Sequence, residues 1–181
     1  NSDLKYFCKS LAEEEREVLE KTIFNSKKDV NKKVIVIFSE NYKNIASFLR
    51  NKYPEEEYFM ITPEDFDAQI KEILNVDLSM ENYNDLSKFD AGLKISHSPR
   101  IRDDIASIYY ITDYDVGKTI VPIFRSYALN MDTFSSSEIF HDANDIKKLV
   151  DFENTYIPIT KKMIENISKK QDPLIKSEIE N

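Results

Sequence analysis

Ser39-Glu40-Asn41-Tyr42 joins an apolar run, Val34 to Phe38, to an amphipathic segment. A strand that feeds a helix in this way is a common seat for a reactive or ligand-binding group. Ser39 could act as a nucleophile there, but GxSxG is absent and no histidine is placed to pair with it. The simpler role is a helix N-cap. Cys8 is the only cysteine, so no internal disulfide, CxxC pair or cysteine-rich metal site can form. In "LKYFCK" it reads as a small buried hydrophobe. His97 and His141 stand far apart, without HxxxH or HxH spacing, and read as surface or loop residues. Asp113 to Asp115 ("DYD") and Arg102 to Asp104 ("RDD") offer paired acids, which solvated turns explain. A carboxylate metal site would need further ligands that the sequence does not supply. Glu13 to Glu17 is a solvated helix face. Asn166-Ile167-Ser168 is a glycosylation sequon, meaningful only in a secretory chain. No catalytic, cofactor-binding or metal-binding residue is therefore assigned, no cofactor is expected, and the chain is expected not to be an enzyme.

Composition narrows the partners. The chain has 181 residues, of which 41% are hydrophobic and 12% aromatic, enough for one domain with a real core. Its net charge is −8. Nucleic acid and anionic lipid both demand a basic face, so neither is the expected partner. With two glycines, no glycine-rich phosphate loop can be built. No apolar run approaches the ~20 residues of a membrane span, so no membrane insertion is expected. No signal peptide is visible, and the first residue is Asn1, which suggests processing or excision from a longer protein.

The elements that would position the junction alternate in type. Leu4 to Cys8 is a short strand candidate. Ser10 and Glu13 have capping-box spacing, and the helix they start puts Leu11, Val18 and Leu19 on one side. Val34 to Phe38 has no polar alternation and predicts a strand buried on both faces. Residues 42–52 predict a helix with Ile45, Phe48, Leu49 and Tyr53 as its stripe, ended by Pro54. Glu57 to Ile61 is the next strand. "TPEDFDAQIKEIL" predicts a helix capped by Thr62, with Pro63 first and Phe66, Ile70, Ile73 and Leu74 inward. Residues 75–104 lose periodicity and read as a long insertion that packs down through Leu78, Met80, Tyr83, Leu86 and Phe89. "TIVPIFRSY" and "MDTFS" read as an antiparallel hairpin, with Pro122 trans on an edge or bulge. "DANDIKKLVDFE" reads as the closing helix. The expected core is Val34, Val36, Phe38, Ile45, Phe48, Leu49, Phe59, Ile61, Phe124, Ile146, Leu149 and Val150. Residues 1–160 form one domain, and 161–181 a polar tail or linker.

This order, with "VIVIFSENYKNIASFLRNKYP", "IVPIFRSY" before "MDTFS", and "ANDIKKLVDFENTYIPI", resembles the non-catalytic, b-type thioredoxin-like domains of the protein disulfide isomerase family. The resemblance covers about two-thirds of the chain; the 75–104 insertion departs from it. It implies an α/β thioredoxin-like fold with a central mixed sheet flanked by helices. In a catalytic member of the superfamily the junction would hold CxxC, so Ser39-Glu40-Asn41-Tyr42 implies a redox-inactive module. Such a chaperone-like module binds polypeptide or spaces catalytic domains, and its compartment is the endoplasmic reticulum lumen. Met80, Tyr83, Leu86 and Phe89 are the candidate peptide-binding residues. Two alternatives stand beside it: an α/β enzyme with an acidic or histidine-containing site at residues 75–115, and an assembly domain for one folded protein partner.

Overall fold

A computed structural model describes residues 10–25, 27, 29–77, 101–140 and 146–159. Cys8, Leu78, Met80, Tyr83, Leu86, Phe89, His97, His141 and Asn166 lie outside them, as do the Leu4–Cys8 strand and the 161–181 tail.

The chain opens with α1 (Leu11–Asn25). Ser10 and Glu13 close the expected capping box, each side chain accepting from the other's backbone N–H at 3.3 and 2.9 Å. The helix buries Leu19, Ile23 and Phe24, whereas Val18 is exposed, one position off the seam. Next come β1 (Lys33–Phe38), a 3-10 turn (Glu40–Tyr42), α2 (Lys43–Lys52) and β2 (Glu57–Met60). As expected, every residue from Val34 to Phe38 is buried. In α2, Ala46 and Leu49 carry the burial. Phe48 is 59% exposed, so its place in the expected core is corrected: Ala46, three residues before Leu49, takes the inward position.

α3 (Phe66–Leu74) begins later than "TPEDF" suggests. Asp65, in a left-handed conformation, caps it by accepting from Ala68 N at 3.1 Å. Thr62 instead bonds the Gln69 side chain through its own backbone. β3 (Ile105–Ile111) follows the segment expected as an insertion, whose last residues, Ile101 to Asp104, lead directly into the strand.

The segment after β3 overturns the expected hairpin. "TIVPIFRSY" belongs to α4 (Tyr114–Tyr127), with Asp113 accepting from Val116 N at 3.0 Å as its N-cap. Gly117, Ile120, Val121 and Phe124 are buried at helical spacing. That amphipathic period outweighs the strand preference of the β-branched residues. Pro122 is trans, as expected, but inside a helix and not on a strand edge. β4 (Asp132–Ser135) follows, then 3-10 segments Ser137–Phe140 and Ile146–Phe152, and β5 (Thr155–Tyr156). The closing helix thus has 3-10 geometry, in which i and i+3 eclipse. Leu149 and Phe152 turn inward together, and Val150 is exposed, which corrects its expected burial.

All described strand pairings are parallel, in the order β2-β1-β3-β4-β5. The mixed sheet is therefore corrected to a parallel one: a 14-residue helix between β3 and β4 is a crossover, and a crossover returns the chain in the same direction. Ile35, Ile37, Ile108 and Tyr110 face one core, roofed by α3, α4 and the 3-10 segments. Val34, Val36, Phe38, Tyr109 and Ile111 face the other, roofed by α1 and α2. The molecule is an α/β fold with a parallel sheet covered on both sides. Ile45, Phe59 and Leu149 are only partly buried at the margins of these cores.

Candidate functional site

The two faces define where the topology reverses. From β1 the chain crosses to β2 through α2, on the α1 face. From β3 it crosses the other way to β4 through α4, on the opposite face. The loops leaving the carboxyl ends of β1 and β3 therefore part in opposite directions. In open α/β sheets the crevice between two such loops is the usual ligand position.

Three hydroxyls stand at that edge. Ser39, Thr112 and Ser136 are the first residues past β1, β3 and β4. They are 6%, 0% and 3% exposed, and their side-chain oxygens have no hydrogen-bond partner among the described residues. Two of their backbones are fixed: Ser39 N donates to Ile111 O at 3.3 Å, and Ser136 N donates to Tyr110 O at 3.1 Å. Ser39 occupies the N-cap position of the helical turn, but its side chain makes no cap bond. That corrects the expected structural role. A buried hydroxyl without a partner costs roughly 1–3 kcal/mol of lost hydration.

Two acids, Asp113 and Glu138, follow closely in the chain after Thr112 and Ser136. Glu138 pairs with Arg16 of α1 at 3.3 Å. Burial raises the Tyr42 phenol, and the charges of Glu138 and Asp113 raise it further. Burial likewise pushes up the Tyr109 phenol, with Glu138 and Glu20 adding to it. Of the "DYD" acids, Asp113 is a helix cap and Asp115 pairs with Lys118 at 2.5 Å. Of "RDD", Arg102 binds Asp104 and Glu57, at the other end of the sheet. The two acidic motifs do not meet. No group of three metal-ligating side chains gathers among the described residues. Sequence reasoning singled out Asp113 and the Ser39–Tyr42 junction but missed Thr112, Ser136 and Glu138. Their signal is position just past a strand end, which acquires meaning only with the strand order.

The opposite, amino-terminal edge holds an open groove of about 810 Å³. Ile23, Lys27, Arg102, Tyr127, Met131 and Phe134 are among its lining residues. Two of its cationic side chains are committed to ion pairs, Lys27 to Glu56 and Arg102 to Glu57. The carboxyl edge differs in that the hydroxyls of Ser39, Thr112 and Ser136 are buried and partnerless among the described residues.

The fold is a doubly covered parallel α/β domain with a switch point between β1 and β3. Comparison with protein-family models, curated proteins and solved structures finds no match. Among the described residues, no helix is long and apolar enough to cross a membrane.

Proposed function

We propose that this domain binds a small polar ligand at the carboxyl edge of its sheet, between the loops that leave β1 and β3. The observation that carries the reading is the set of partnerless hydroxyls of Ser39, Thr112 and Ser136, one past each of three strand ends. The position itself is a fold-level analogy. Because the hydroxyls are buried, a ligand reaches them only as the covering loops part; rotation about a serine χ1 then brings Oγ outward. Asp113 and Glu138, whose charges reach Tyr42, supply acceptors at the same edge. An α/β enzyme with an acidic site remains compatible with this crevice, through Asp113. A catalytic step would need a nucleophile paired with a base, and Ser39 has no such base among the described residues.

A second reading, a redox-inactive module that holds polypeptide, draws on the open groove at the other edge, with Tyr127, Met131 and Phe134 on its walls. The thioredoxin-like reading and its reticulum location rest on the pattern of strand endings, and the parallel entry of β4 weighs against them. Amide shift mapping of the whole chain against a mixed small-fragment library separates the two. Shifts at Ser39–Tyr42, Thr112–Asp113 and Ser136–Glu138 are expected. Shifts confined to Asp29–Lys32 and Ala128–Asp132 would overturn the crevice and favour the groove.

A further inference from the structure

The crevice offers two kinds of group at once. On the donor side, the short turn beginning at Glu40 starts from an N-cap whose side chain makes no bond; Tyr42 N donates to Ser39 O at 2.9 Å, and Ser39 takes neither the Glu40 nor the Asn41 N–H. The Ser39 and Thr112 hydroxyls add two more groups able to donate. On the acceptor side stand Asp113 and Glu138, whose charges both act on Tyr42. Glu40 lies in the first turn of the same run.

A phosphorylated ligand suits only half of this. Its charge would meet Glu40, Asp113 and Glu138, and like charges at such range repel. Arg16, which reaches Glu138, is already paired with it. At α4 the Asp113 carboxylate occupies the Val116 N–H that an anion would use. No glycine lies in residues 39–42, 112–113 or 136–138, so the backbone cannot make the close approach that pyrophosphate binding exploits. A carbinol hydroxyl is donor and acceptor together. It can accept from the helix-start N–H groups and donate to the carboxylates.

We infer that the crevice prefers a neutral, polyhydroxylated ligand, a free sugar or the sugar of a nucleoside, over its phosphorylated counterpart. The inference rests on reading the crevice as the ligand site. It is tested by amide shift titration of the whole chain with adenosine, adenosine monophosphate, glucose and glucose 6-phosphate. At least one neutral probe should move the Ser39–Tyr42 and Thr112–Asp113 amides, with its phosphorylated partner weaker by about tenfold, the equivalent of about 1.4 kcal/mol. Ser39→Ala should weaken the neutral probe by a similar factor, while a circular dichroism spectrum like that of the parent shows that the variant folds. A response to adenosine alone assigns a nucleoside, and one to glucose a free sugar. Tighter binding of a phosphorylated probe at the same amides overturns the inference and leaves the site reading standing. No shift at these amides with any of the four overturns it too, and the fragment mapping above then judges the site by itself.

Discussion

At the amino-terminal edge of the sheet, buried polar groups are tied to one another. Glu56, whose side chain is fully buried, accepts from Val34 N at 2.6 Å and pairs with Lys27. Arg102 grips Glu57 through two bonds of 2.7 and 3.0 Å and Asp104 through two of 2.9 and 2.6 Å. Lys33 joins them, its Nζ on Glu57 and its backbone N on Asp104 O. At the carboxyl-terminal edge the pattern inverts. Of the five partnerless buried hydroxyls among the described residues, three, Ser39, Thr112 and Ser136, stand just past strand ends there, and the other two, Tyr109 and Tyr110, belong to β3 itself. One edge is stapled by charge; the other carries unspent hydrogen-bonding capacity. A fold that needed only stability would have filled the second edge with apolar or paired groups.

The largest expected effect breaks the stapled edge. Glu56→Ala would orphan the Val34 N–H and strip Lys27 of its carboxylate, leaving it the Lys32 carbonyl. The loss should be about 3–5 kcal/mol by denaturant titration. Glu56→Gln, which keeps an acceptor for Val34 N, should lose less. Equal losses in both variants would mean that charge alone matters there.

A second perturbation tests the packing that carries the α4 side of the crevice. A Cβ on Gly117 would lie 2.5 Å from Ile139 Cδ1 and 3.2 Å from Phe152 Cε1. Gly117→Ala should therefore destabilise by about 1–2 kcal/mol, the overpacking outweighing alanine's better helix propensity. A melting temperature above that of the parent would show that Ile139 yields freely.

How much of this was legible in the sequence follows from how local each signal is. β1, α2 and β2 could be read because burial on two faces, a helical stripe and Pro54 are all written within a few residues. α4 was misread because Thr119, Ile120, Val121 and Ile123 crowd β-branched side chains around Pro122. The Asp113 cap and the spacing of Gly117, Ile120, Val121 and Phe124 carried the truer signal. The direction of β4 is not encoded in a four-residue strand; it depends on the crossover before it. The site was harder still. Ser39 drew notice as a junction residue. Thr112 and Ser136 became its neighbours only once β3 and β4 were ordered beside β1, a long-range fact.

A third expectation sharpens the charge half of the comparison through pH. The hydrogen bonds of Arg102 hold the Glu57 and Asp104 carboxyls below their ordinary values. A carboxyl depressed in the folded state contributes stability above its unfolded pKa, about 4, and loses it as pH falls through the folded value. Stability should therefore decline below about pH 4.5, and Arg102→Met should remove that part of the decline. Both carboxyls are partly solvated, so the difference at neutral pH should be about 1 kcal/mol. Parallel stability curves for parent and variant between neutral pH and pH 3 would sink the idea.

The smallest effect is the most telling, because its sign differs between the edges. Thr112→Val replaces a hydroxyl by a methyl of nearly the same shape. At a paired site that substitution costs stability, since it deletes a hydrogen bond and orphans the partner. At Thr112 no partner exists among the described residues to be orphaned, and the site is fully buried. Valine then relieves an unpaid desolvation and adds apolar contact, so stability should hold or rise by up to about 1 kcal/mol. Ser39→Ala should follow the same sign, more weakly, because Ser39 retains 6% exposure. Thr133→Val serves as the control: its hydroxyl bonds Asn154 O at 3.0 Å and lies 3.1 Å from the Thr155 hydroxyl, so valine there should cost about 1 kcal/mol. Ranking the three by denaturant midpoint checks the contrast directly. If Thr112→Val lost as much as Thr133→Val, the Thr112 hydroxyl would already be spent within the folded chain, and the carboxyl edge would hold no reserve for a ligand.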